Sequence, residues 1–91
     1  MTTGSAPPAS DERIGETIFG LLAQRDASAS ICPSEVARAL AADDAGWRAL
    51  MPEVRRVAAM LAERGLLRVT RGADDVDARV PGGPVRLRRL P

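Results

Sequence analysis

Histidine, tyrosine and lysine are absent from this 91-residue chain, and cysteine and tryptophan occur once each. Without histidine or tyrosine, the side chains most used to move protons are missing, and Cys32 has no imidazole to activate it. No glycine-rich phosphate cradle stands between a strand and a helix either, so the chain is not expected to be an enzyme. A single cysteine excludes an internal disulfide. No apolar run approaches the roughly eighteen residues that a membrane-spanning helix needs, and the N-terminus lacks the basic and apolar regions of a signal peptide. A cytoplasmic protein with no membrane partner is therefore expected. The absence of lysine leaves all thirteen cationic side chains as arginine. Codon usage in a GC-rich genome explains this, although guanidinium also suits phosphate well.

What is present is distributed unevenly. Up to Glu53 there are eight acidic residues against four arginines, and from Val54 onward nine arginines against four acidic residues. The second half is basic although the whole carries only +1. Residues 1–9 are small, polar and proline-bearing, the composition of a disordered leader, and 10–91 form one domain. Ser10 is a good N-cap, and Ile14, Ile18, Leu21 and Leu22 form one helical stripe that ends near Arg25. After a polar connection over Asp26 to Ser30, Cys32-Pro33-Ser34-Glu35 has the layout of a second helix start. Pro33 sits at the first helical position, Glu35 at the third, and Ile31 is placed to staple onto Val36. That helix frays before Asp43 and Asp44.

Trp47 to Met51 reads as one further turn before Pro52 opens a third helix, in which Val54, Val57, Ala58 and Leu61 are the buried stripe and Gly65 the stop. Leu67 and Val69 alternate with Arg68 and Thr70, and Val85 and Leu87 with Arg86 and Arg88, as in two antiparallel strands. The turn-rich stretch Gly72 to Pro84 lies between them. The expected fold is α+β, mainly α with a small β-hairpin. It is a winged helix-turn-helix of three to four helices followed by a two-stranded wing.

With the apolar stripe inward, Arg55, Arg56, Ala59 and Glu63 face outward. Two arginines in a first helical turn oppose the helix dipole, a placement that stability alone does not favour but a recognition helix explains. Arg68, Arg86 and Arg88 lie on the outward face of the hairpin, and Arg48 extends the basic surface toward phosphates. Duplex DNA is the partner these six arginines suggest. The competing reading is a solvated face, with Glu53 and Glu63 pairing to Arg56 along the helix. Asp74, Asp75 and Asp77 would repel a phosphate backbone from the wing tip, and they lack the spacing of a calcium loop, so no metal and no cofactor are expected. Trp47 reads as a core anchor and Cys32 as a buried small residue, with a thiol sensor as a remote alternative.

The runs Ser30-Ile31-Cys32-Pro33-Ser34-Glu35-Val36-Ala37-Arg38-Ala39-Leu40 and Trp47-Arg48-Ala49-Leu50-Met51-Pro52, followed by Val54-Arg55, Gly65 to Thr70 and Gly83 to Leu87, resemble a bacterial domain-of-unknown-function family, number 3253. The resemblance implies a small winged-helix-like domain without an established activity. It also implies a motif built around Cys32, Pro33, Ser34, Glu35, Trp47, Arg48, Pro52 and Arg55, of which Arg48 and Arg55 are least required by the fold. The alternative function is a protein-docking module, signalled by an exposed apolar patch around Ala59, Met60 and Ala62. No extra dimerisation helix is evident, so a monomer or weak homodimer is expected.

Overall fold

The computed structural model describes residues 10–80 and 83–90, so the expected leader over 1–9 lies outside the described residues. Helix α1 spans Asp11–Ala23 and begins where the sequence places it, with the Ser10 hydroxyl accepting from the Arg13 amide at 3.1 Å. Asp11 and Glu12 sit in its first turn, favourable against the positive helix end. Ile14, Ile18 and Leu22 recur on its buried face. Helix α2, Pro33–Leu40, starts on the expected Pro33-Glu35 pattern. One oxygen of Glu35 accepts from the Cys32 amide at 2.8 Å, and the other from Arg25 at 2.6 Å, which ties the end of α1 to the start of α2.

The third helix corrects the reading at Pro52. Helix α3 is one continuous element, Asp44–Glu63, with Pro52 inside it and no restart. Pro52 cannot donate to the Arg48 carbonyl, but it lies on the exposed side, where water can take that role. Leu50 and Val54, buried on either side of it, hold the helix to the core. Helix α2 ends before Asp43 and Asp44, as expected, and these two residues start α3, where Asp43 accepts from the Gly46 amide at 3.0 Å.

Helix α3 stops just before Gly65, the expected terminator, whose φ of +74° is left-handed. The Leu66 amide donates to the Leu61 carbonyl and the Gly65 amide to Ala62, satisfying two carbonyls of the last turn. A Cβ at Gly65 meets no neighbour, so its cost is conformational alone. Gly65→Ala is expected to lower unfolding free energy by about 1–2 kcal/mol, read from urea midpoints at unchanged slope.

The chain pairs into a four-stranded antiparallel sheet, not a two-stranded hairpin. Its strands are β1 (Ser30–Ile31), β2 (Arg68–Arg71), β3 (Asp74–Asp75) and β4 (Arg86–Arg88), in the order β1-β4-β2-β3. The expected antiparallel pairing of the two basic strands holds, with Val69 opposite Leu87. Two elements were not anticipated. β1 adds to the far side of β4 with Ile31 opposite Leu87, and β3 folds back on β2 with Asp74 opposite Arg71. Leu67, Val69, Val85, Leu87 and Ile31 point inward and join the stripes of the three helices in one core. Trp47 belongs to that core, as expected.

Candidate nucleic-acid interface

Because α3 begins at Asp44, Arg55 and Arg56 stand in its middle, and the argument from an unfavourable first-turn charge does not apply to them. Their environments differ. The Arg56 guanidinium bonds both Asp11 on α1 and Glu53 one turn back, at 2.5 and 2.7 Å. The Glu53 pairing is the one the spacing suggests, whereas Asp11 comes from across the fold. Arg56 in turn holds the Asp11 carboxyl below the usual carboxylate range. Arg55 turns the other way, half-buried, and donates to the Ala78 carbonyl at 3.4 Å. With Met51, Pro52 and Arg79 it lines a concavity of about 290 Å³.

The segment after β3 explains this divergence. Residues 76–80 fold back over α3, burying Ala78 and covering Ala59, which the helical wheel had placed outward. Arg79 clamps the segment by bridging Glu63 and Asp77, each at 2.7 Å. Glu63 thus pairs with Arg79 and not with Arg56. Asp77 also accepts from the Arg79 amide at 2.8 Å, and these bonds hold its carboxyl down at about 2. Asp75 pairs with Arg68 at 2.8 Å. Two of the three acids expected to repel a phosphate backbone are therefore neutralised by arginines. Among the described residues no group of three possible metal ligands converges.

Asp11, Glu35 and Asp77 all have lowered folded-state values, Glu35 first through its bond to Arg25. Each contributes stability that is fully present above its unfolded value and lost as pH falls through its folded one. The denaturation midpoint is accordingly expected to fall on acidification below about pH 4. The fall should be shallower in the Glu35→Gln, Asp77→Asn variant.

Arg68, Arg86 and Arg88 do come together, on the outer face of the sheet. Arg86 donates to the Ser30 hydroxyl at 2.8 Å and the Ser30 carbonyl at 3.0 Å. Arg88 lies over buried Thr70, donating to its hydroxyl at 3.1 Å. Neither has a carboxylate partner among the described residues. Arg89 joins them and was not anticipated. Its guanidinium bonds the Leu22 and Arg25 carbonyls at the end of α1, completing a concavity of about 380 Å³ with Ala27, Ser28, Arg68 and Arg88.

Arg48 lies elsewhere. Its guanidinium carbon is 4.6 Å from the centroid of the Trp47 ring, and that of Arg38, from α2, is 4.5 Å from the same centroid. The Trp47 indole donates to Asp44 at 3.3 Å, which fixes the ring. Neither arginine has a carboxylate partner among the described residues. Arg48, Pro52 and Arg55 follow at i, i+4 and i+7, so they form one stripe along α3. Arg38 was not anticipated, because only the packing of α2 on α3 brings it to the tryptophan.

A family model described as "Protein of unknown function (DUF3253)" matches residues 11–90, nearly the whole domain. The chain belongs to this family. No relative among curated proteins matches it. In this DUF3253 domain the residues that carried the resemblance divide into two groups. Cys32, Pro33, Ser34 and Glu35 build the start of α2, where Cys32 is half-buried and accepts a hydrogen bond from the Ser34 hydroxyl at 3.1 Å. It is thus not the fully buried small residue that its apolar neighbours suggest. Trp47, Arg48, Pro52 and Arg55 form the second group, with Trp47 buried in the core and Arg48, Pro52 and Arg55 on the outer side of α3. Of the apolar residues that would signal a docking module, Ala59 is buried and Met60 and Ala62 are half-buried. Among the described residues no helix is long and apolar enough to cross a membrane.

Proposed function

We propose that this domain is a winged helix-turn-helix that binds duplex DNA through the surface shared by α2 and α3. The order helix, strand, helix, helix, strands supports the fold part of the reading, with residues 41–43 as the short turn between α2 and the longer helix. The observation that carries the function is the pair Arg38 and Arg48, two like charges drawn to one fixed indole and without a carboxylate partner among the described residues. Such a pair is costly in the free protein and favourable against a polyanion. Stacking orders both guanidinium groups beforehand, and charge-assisted bonds to phosphate are among the stronger hydrogen bonds. Arg55 continues the stripe toward the clamp residue Arg79.

In this reading Arg68, Arg86 and Arg88 contact flanking phosphates, since roughly 22 Å of helix separates Arg48 from the end of α3. Arg56, held by two carboxylates, serves the joint between α1 and α3. The proposal includes a cytoplasmic location and no catalytic step. Fluorescence anisotropy of a labelled mixed-sequence duplex across a salt series tests it. Binding at low salt that weakens with a log–log slope of about −3 or steeper is the expected result, because each neutralised phosphate contributes roughly −0.9. No binding at low salt, or binding indifferent to salt, overturns it.

A further inference from the structure

The chain's only phenylalanine is exposed, at 39%, although its only tryptophan is buried. Phe19 lines a concavity of about 610 Å³, which runs between α1 and α3 over a floor that includes Gly15 and Met60. The charges along this groove are polarised. Asp11 meets Arg56 at one end, and a Cβ on Gly15 would stand 3.9 Å from Leu61 near the middle, so α1 and α3 run alongside each other in the same sense. Glu12 and Glu16 therefore lie toward the first end and the middle, and Arg64 lies with Phe19 at the other. None of Glu12, Glu16 and Arg64 has an ion-pair partner among the described residues, although all three line the same groove.

We propose that this groove is the interface of a homodimer, occupied by the same groove of a second copy about a two-fold axis. A groove acidic at one end and basic at the other is complementary to itself when turned end for end, which is the condition an isologous contact must meet. Glu12 then faces Arg64 of the partner subunit, the reciprocal pair forms at the opposite end, and Glu16, near the axis, faces its own copy, a like-charge contact that keeps the dimer weak. Phe19 of each copy is withdrawn from water against the apolar floor of the other. Gly15 leaves room for that ring, having no side chain to fill the groove. A contact this small gives a weak dimer, with dissociation expected at about 0.1 mM. The interface uses neither Arg38 nor Arg48, so its success or failure is independent of DNA binding.

Sedimentation equilibrium of the full chain over a concentration range spanning about 10 μM to 1 mM tests the proposal. Wild type is expected to dimerise, and Phe19→Ala to raise the dissociation constant at least about tenfold. Glu12→Arg and Arg64→Glu are each expected to be monomeric, because each sets like charges against one another at both ends. An equimolar mixture of these two variants should regain a dimer, since both of its end pairs are then opposite in charge. Thermal melts of the single variants near the wild-type midpoint confirm that they are folded. A wild type that stays monomeric throughout, single variants that dimerise like wild type, or a mixture that remains monomeric would each overturn the proposal.

Discussion

Replacing Arg38 and Arg48 together by alanine is expected to weaken duplex binding by one to two orders of magnitude at low salt and to flatten the salt slope by about 2. The expectation follows from counting contacts. Each guanidinium that neutralises one phosphate adds close to one unit of slope, whatever the base sequence, so the loss should be the same for unrelated duplexes. The variant should remain folded. Both side chains are exposed, and a cation–π contact at such a site is worth only about 0.5–1 kcal/mol. Arg56→Ala is the internal comparison. Its guanidinium is already engaged by Asp11 and Glu53, so it should change the slope little while loosening the contact of α1 with α3. Equal losses from both variants would point to overall charge rather than to the tryptophan-held pair.

The second large effect concerns stability. Leu87→Ala is expected to cost about 2–5 kcal/mol, measured as the change in unfolding free energy in urea. Leu87 is fully buried at the centre of the sheet, facing Ile31 on one side and Val69 on the other. Its removal opens a cavity that neighbours on two strands and the helical core cannot all collapse to fill. For a domain of this size the total stability is of order 5–10 kcal/mol, so the variant should be partly unfolded near physiological temperature. A loss below about 1 kcal/mol would mean that β4 is not the strand on which the sheet is built.

Much of this fold was legible because its signals are local. Ser10 and the stripe of Ile14, Ile18 and Leu22, the Pro33-Glu35 start of α2, Gly65, and the alternation at Leu67–Thr70 and Val85–Arg88 each lie within a few residues of the element they specify. The elements that escaped depend on distant partners. Ser30 and Ile31 form a strand only because β4 lies beside them, and two successive aspartates make a poor strand until Gly72, at φ +62°, turns them back onto Arg71 and Thr70. Pro52 misled for the complementary reason. It is a strong local signal for a break, overridden by the packing of Leu50 and Val54 on either side.

The candidate site divides in the same way. That the arginines of the second half gather on a surface was readable for Arg68, Arg86 and Arg88, because strand alternation alone puts them on one face. It was not readable that Arg55 and Arg56, adjacent in sequence, are drawn to opposite flanks of α3. One is held by the folded-back Ala78 segment and the other by Asp11, forty-five residues away. The Arg38 and Arg48 pair was half visible, with Trp47-Arg48 in the sequence and Arg38 supplied by the turn between two helices. Arg89 gave no signal, since the carbonyls it bonds belong to the end of α1.

Nuclear magnetic resonance titration of the ¹⁵N-labelled chain with a short duplex, following the backbone amides, the Trp47 indole and the arginine side-chain N–H groups, tests the central claim most directly. Progressive shifts at Trp47, Arg38, Arg48 and Arg55 that reverse on adding salt are the expected result, with Glu12 and Phe19 unmoved. Shifts confined to Arg86, Arg88 and Arg89, or no shifts at saturating duplex, would contradict binding through the α2–α3 surface.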